Sequence, residues 1–209
     1  MYKDRIRIYL IIYFFSEKFN DDTMPNLVRV LYTETKIQKI DFLLRNPDYF
    51  ALELLSLLHE SNHDKDQIKN VVVDIFRNRE PDIRRLEMQR FFFGAYEDID
   101  EVIAFLESFG FIVFDSGRNT NLKVIDKRYY ITQYAEEKTE ALLSEMNSLK
   151  WYIDRCKQIK KYFGDYTGTQ LKNMQYEEET YSKASYGEFI ADVQEKVKGI
   201  FKREFGEEL

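Results

Sequence analysis

His59-Glu60-Ser61-Asn62-His63 places two imidazoles four residues apart around a glutamate. On one helix that spacing lets both rings hold zinc while the carboxylate activates a water for hydrolysis. These are the only two histidines in the chain, so a third ligand would have to be a carboxylate such as Glu80 or Glu87. Such a site also needs a buried helix continuing past the second histidine, and Asp64-Lys65 stand there instead. Ser61, Asn62 and Asp64 read as one helix ending and another beginning, which predicts no metal site. Cys156 lies at a helical position with no histidine near it in sequence and reads as packing, not as a nucleophile. Glu177-Glu178-Glu179, after Tyr176, reads as a solvated loop and not as a metal site. Neither a Gly-x-x-x-x-Gly-Lys-Ser/Thr loop nor a Gly-x-Gly-x-x-Gly turn is present to cradle phosphate. Nucleophile, base and oxyanion donors cannot be assembled, so the expectation is a protein that is not an enzyme and uses no cofactor.

The elements that would position any site come from a chain built to fold. Of 209 residues, 44% are hydrophobic and 16% aromatic, far from the composition of a disordered segment. A single cysteine allows no intramolecular disulfide and no cysteine-based zinc cluster, which suits a reducing, cytoplasmic compartment. The most apolar run, Tyr9 to Phe15, falls short of the about 20 residues a membrane span needs. Ser16-Glu17-Lys18 follow it directly, so no signal-peptide cleavage site is expected and no membrane partner. A formal charge of -6 argues against broad attachment to nucleic acid or anionic lipid, leaving only local patches.

Residues 4–15 fit either a strand or a buried helix, because the alternation of Arg5-Ile6-Arg7-Ile8 gives way to a continuous apolar run. Leu27, Val30, Leu31, Ile37, Ile40 and Leu44 share a helical face and predict one helix from Pro25 to Arg45, ended by Asn46-Pro47. Asn46 is placed to cap a second helix with Pro47 at its first position and Phe50 to Leu58 as its body. A third starts at Asp64 and carries Ile68, Val71, Val72, Ile75 and Phe76. A fourth is expected from Pro81 to about Phe93, stopped by Gly94.

Asp98 with Glu101 has the form of a capping box, and Ile99, Val102, Ile103, Leu106 and Phe109 make an apolar stripe ended by Gly110. Phe111 to Phe114, a polar turn over Asp115 to Asn121, and Leu122 to Ile131 then predict a hairpin. Thr132 is placed to cap a helix carrying Tyr134, Ala141, Leu142, Met146 and Leu149. Further helices are expected over Leu149 to Phe163, briefly around a Thr-Gly-Thr turn between Tyr166 and Met174, and from Tyr186 to Phe205.

The order of three helices, strand, turn, strand and helix, with Leu106-x-x-x-Gly110-Phe111-Ile112 at one junction and Tyr129-Tyr130-Ile131-Thr132 at another, resembles the winged-helix superfamily over about residues 65–148. That resemblance implies a mainly α fold with a small β-hairpin wing: a winged helix-turn-helix over 65–148, an N-terminal helical region over 1–64 and a C-terminal helical extension over 149–209. It also implies that the helix before the hairpin is the one that meets a partner. In overall plan the chain resembles winged-helix accessory proteins of bacterial ATPase complexes, including SMC-type accessory subunits. The stretches from Leu31 to Pro47 and from Phe163 to Lys172 are similar to the middle components of ABC-ATPase three-component defence systems.

With the apolar stripe turned inward, that helix would show Asp100, Glu101, Ala104, Glu107 and Ser108. Carboxylates in a major groove meet phosphates of the same sign, at about 1 kcal/mol per close contact even in water, and offer no donor fork to guanine. The case for DNA rests on Arg118, Lys123, Lys127 and Arg128 in the hairpin and on Arg77, Arg79, Arg84, Arg85 and Arg90 around the helix before it. Eleven basic against sixteen acidic side chains over residues 66–145 favour a protein partner. The expected function is therefore a non-enzymatic adaptor that binds other protein subunits, or a second copy through its terminal helices. The alternative is a DNA-binding regulator of MarR or PadR type.

Overall fold

The computed structural model of the chain describes residues 2–60, 63–91, 94–95, 98–118, 120, 124–145 and 147–209. The apolar N-terminal run is a helix, α1 (Tyr2–Phe15), followed by β1 (Glu17–Lys18), β2 (Leu27–Tyr32), α2 (Glu34–Arg45) and α3 (Pro47–Ser56). A 3-10 turn over Leu57–His59 leads to α4 (Lys65–Arg77), α5 (Glu80–Ile83), β3 (Arg90–Phe91) and β4 (Gly94–Ala95). Then come α6 (Asp100–Ser108), β5 (Ile112–Arg118), β6 (Val124–Thr132), α7 (Gln133–Glu145), α8 (Lys150–Phe163), α9 (Gly168–Glu177), α10 (Glu179–Ser182) and α11 (Gln194–Phe205). Among the described residues the fold is mainly helical with a four-stranded antiparallel sheet in the order β1-β2-β6-β5 and a two-stranded β3-β4 ribbon. No helix among them is long and apolar enough to cross a membrane.

The chain forms two compact units, each from two separate stretches: Met1–Asp41 with Glu97–Leu171, and Phe42–Tyr96 with Lys172–Leu209. The boundaries at 64/65 and 148/149 drawn from the sequence fall elsewhere, and α4 belongs to a different unit from α6, the hairpin and α7.

In the first unit α1 is apolar and buried on every side from Ile8 to Tyr13. Ile8, Leu10, Ile11 and Ile12 are all buried, which is the mark of a central helix and not of a surface one. The single helix expected from Pro25 to Arg45 is instead β2 and α2, separated by Thr33 at φ +67°. Leu27, Val30 and Leu31 do fall at helical spacing, but Val28 and Val30 favour extended backbone, and pairing of Leu27–Tyr32 with Arg128–Thr132 of β6 decides the matter. Adjacent strand residues face opposite sides, and both Val30 and Leu31 are buried, so the sheet is covered on both faces here. The hairpin is thus no isolated wing, because β6 lies between β5 and β2.

Gly168 explains the Thr-Gly-Thr sequence. A Cβ there would sit 2.9 Å from the Lys36 backbone nitrogen and 3.1 Å from both Thr33 Oγ1 and Thr35 Cβ. Gly168→Ala is therefore expected to cost about 1–3 kcal/mol through forced displacement of the β2–α2 turn. Urea denaturation measures this, and an unchanged midpoint would rule out the close approach.

In the second unit α3 is buried from Pro47 to Leu55, packing against α4 and α11. Pro47 opens the helix as expected, but Asn46 does not cap it through its side chain; its Nδ2 donates to the Phe42 carbonyl at 2.9 Å. Phe42 lies edge-on to Tyr49 and Tyr181, with centroids 4.9 and 5.3 Å away. Asp64 caps α4 by accepting from the backbone of Asp66 and Gln67, and Ile68, Val72 and Ile75 are buried. Two helix expectations fail together. The helix from Pro81 stops at Ile83, and that from Tyr186 begins only at Gln194. The backbone of Met88 to Arg90 pairs instead with Gly187 to Ile190, Ile190 N–H donating to the Met88 carbonyl at 3.0 Å and Arg90 N–H to the Glu188 carbonyl at 2.8 Å. Phe93, the expected helix end, lies outside the described residues, and Gly94 is part of β4.

Candidate functional site

α6 opens where Asp98 Oδ1 accepts from the Asp100 N–H at 3.0 Å, with Ile99 as the flanking residue and no side-chain box to Glu101. Ile99, Ile103 and Leu106 are buried, and Asp100, Glu101, Ala104, Glu107 and Ser108 are exposed. Phe109 departs from the predicted stripe. It follows the last helical turn, 60% exposed, with its ring 4.6 Å from that of Phe105. Glu107 Oε1 accepts from the Phe114 N–H at 2.8 Å and so fixes the start of β5, while the Ser108 hydroxyl turns back to the Phe105 carbonyl at 2.7 Å. The carboxylates of Asp100 and Glu101 have no hydrogen bond or ion pair among the described residues.

Beside the buried edge of α6, a cavity of about 340 Å³ lies between α1, α6 and α7. Ile6, Leu10, Phe105, Leu106, Phe111 and Leu142 are among the residues that line it, and the exposed wall is apolar throughout. The polar atoms behind it satisfy one another: Tyr9 Oη lies 2.5 Å from Thr139 Oγ1, which donates to the Ala135 carbonyl at 2.6 Å. Burial pushes the Tyr9 phenol well above its ordinary pKa. Arg5 and Lys138 are the charged lining residues. The Arg5 guanidinium sits 3.6 Å from the Phe105 ring centroid and the Lys138 ammonium 5.7 Å from that of Tyr134. Leu142 and Phe109 have core-like spacing in the sequence, and no local signal distinguishes them from packed residues.

Of the cations that would favour DNA, Arg84 and Arg85 belong to the second unit and Lys127 and Arg128 to the first. Arg84 is exposed, and Arg85 bridges Asp48 Oδ2 at 3.0 Å and the Ile190 carbonyl at 2.6 Å, both in the second unit. In the first unit Lys127 is ion-paired with Glu34, and burial pushes its amine below the ordinary range. Arg128 lies 2.7 Å from Asp126 and 3.5 Å from Asp115; hydrogen bonds to Tyr130 and Asp126 raise its pKa. Lys123 and the Arg118 side chain lie outside the described residues.

No family model, curated protein or solved structure matches this chain. His59 ends a 3-10 turn and Glu60 is extended (φ -92°, ψ 132°), so the two histidines do not share a helix; His63 Nε2 lies 3.6 Å from Glu60 Oε2. Ser61 and Asn62 lie outside the described residues. Cys156 is buried, and that burial pushes its thiol up to about 12, far from thiolate chemistry. The three consecutive glutamates are not a solvated loop. Glu177 ends α9, Glu178 caps α10 by accepting from the Thr180 N–H at 3.1 Å and meets Lys196 Nζ at 2.5 Å, and Glu179 pairs with Lys183 at 2.7 Å.

Proposed function

We propose that this chain is a non-enzymatic cytoplasmic adaptor that docks through the outer face of α6 onto a basic surface of another subunit in a bacterial, ATPase-associated complex. One observation carries the reading: the carboxylates of Asp100 and Glu101 stand exposed with no cation partner among the described residues, while Lys127 and Arg128 of the neighbouring hairpin are already held by carboxylates. A surface of that sign repels phosphate and attracts lysine and arginine. The succession of α6, the β5–β6 hairpin and α7 supports a winged-helix relationship. Incorporation of that hairpin in a larger sheet and the place of α4 in the other unit count against a free-standing module over 65–148.

The test is co-expression with the proteins encoded beside this one. The native chain is expected to retain a neighbour, and the Asp100→Lys/Glu101→Lys variant to bind it at least about tenfold more weakly while melting at the same temperature. Equal retention by both would sink the adaptor. Duplex DNA binding that weakens steeply with salt would put a gene regulator in its place.

A further inference from the structure

We propose that the cavity between α1, α6 and α7 is a binding site for a single-chain anionic amphiphile, a fatty-acid carboxylate whose alkyl chain fills the apolar interior and whose head group meets Arg5 and Lys138. About 340 Å³ lies within the range that small-molecule sites occupy. An interior with an entirely apolar wall offers a ligand nothing but hydrocarbon contact, so the inserted portion must be hydrocarbon. The sign of the head group follows from the described lining residues, which include the cations Arg5 and Lys138 and no carboxylate. Each cation already rests near an aromatic ring, Arg5 over Phe105 and Lys138 near Tyr134, which holds the charges beside the apolar wall. An uncharged alcohol would use the interior but not these charges, and a cationic surfactant would be opposed by both. The site is separate from the α6 carboxylates that carry the adaptor reading, so either can fail alone.

Calorimetric titration of the full chain with alkyl carboxylates below their micelle concentrations tests the assignment. Dodecanoate is expected to bind saturably at one site. From octanoate upward, each added methylene should tighten binding about fourfold until the cavity is full, and not beyond. Dodecyltrimethylammonium should bind at least about tenfold more weakly. Lys138 is exposed, so Lys138→Glu should fold and weaken dodecanoate about fivefold or more. Leu142→Trp should shorten the chain length at which affinity levels off. Absence of saturable binding would overturn the proposal and leave the cavity to a protein side chain. Equal affinity for the two head groups would overturn it too, as would indifference to both substitutions.

Discussion

Glu53→Gln will raise stability at neutral and alkaline pH and remove a pH dependence that the native chain shows between about pH 4.5 and 8. Glu53 lies in α3, buried, and burial together with the nearby carboxylates of Glu178 and Glu177 pushes its pKa up to about 8, with Lys196 opposing. Burial also acts against the charge of Glu178, but Lys196 and the Thr180 N–H outweigh it and hold that carboxyl below its ordinary range. The two acids are thus driven apart, one neutral and one ionised. Below pH 4.5 Glu53 is protonated in both folded and unfolded chains and its burial carries no ionisation penalty. As pH rises the unfolded chain releases the proton first, and stability falls until the folded group also ionises near pH 8. A shift of that size corresponds to on the order of 4–5 kcal/mol. Urea denaturation at several pH values for both proteins reads the difference directly. Parallel curves would show that Glu53 does not hold a proton in the fold.

Breaking the buried pair between Arg7 and Asp41 should have a comparable effect. Arg7 Nε lies 2.5 Å from Asp41 Oδ1 and Nη1 lies 2.8 Å from Asp4, with both Arg7 and Asp41 buried. Burial works against the guanidinium charge, and the Asp41 carboxylate more than offsets it, raising the Arg7 pKa. Arg7→Met removes the guanidinium that Asp41 faces in the core, and Asp41→Leu removes the buried carboxylate from Arg7 while Asp4 still accepts from Nη1; each is expected to cost about 3–5 kcal/mol. Replacing both, Arg7→Met with Asp41→Leu, should recover most of that loss, because apolar groups of similar volume avoid the desolvation of two charges. Thermal melts of the four proteins form the cycle. Single variants that each cost less than about 1 kcal/mol would remove the pair from the core's energetics.

Local signals made some elements legible. Asp64 before an apolar stripe, Pro47 at a helix start, Thr132 accepting from the Ala135 N–H and Gly110 at φ +70° each act within a few residues, and each element they mark is present. Errors arose where distant backbone decided. Leu27 to Leu31 has helical spacing but is paired with β6, and the helix expected from Tyr186 is replaced over Gly187 to Ile190 by backbone pairing with Met88 to Arg90. No periodicity within a segment encodes a hydrogen-bonding partner a hundred residues away. The acidic face of α6 could be read because a helix fixes its own faces. The cavity could not, since its walls come from helices far apart in sequence. The three glutamates misled for the same reason: Glu178 finds Lys196 only after the chain has turned back.

The pairing of β2 with β6 sets an order of events at the ribosome. Tyr32 meets Arg128 in the sheet, so β2 is synthesised long before the strand that completes its hydrogen bonds. At about 5–20 residues per second, the nascent chain holds an unpaired strand edge for roughly 5–20 s. Through that interval Val30 and Leu31 lack their final cover, and chaperones or early partners have their best opportunity to engage the N-terminal segment.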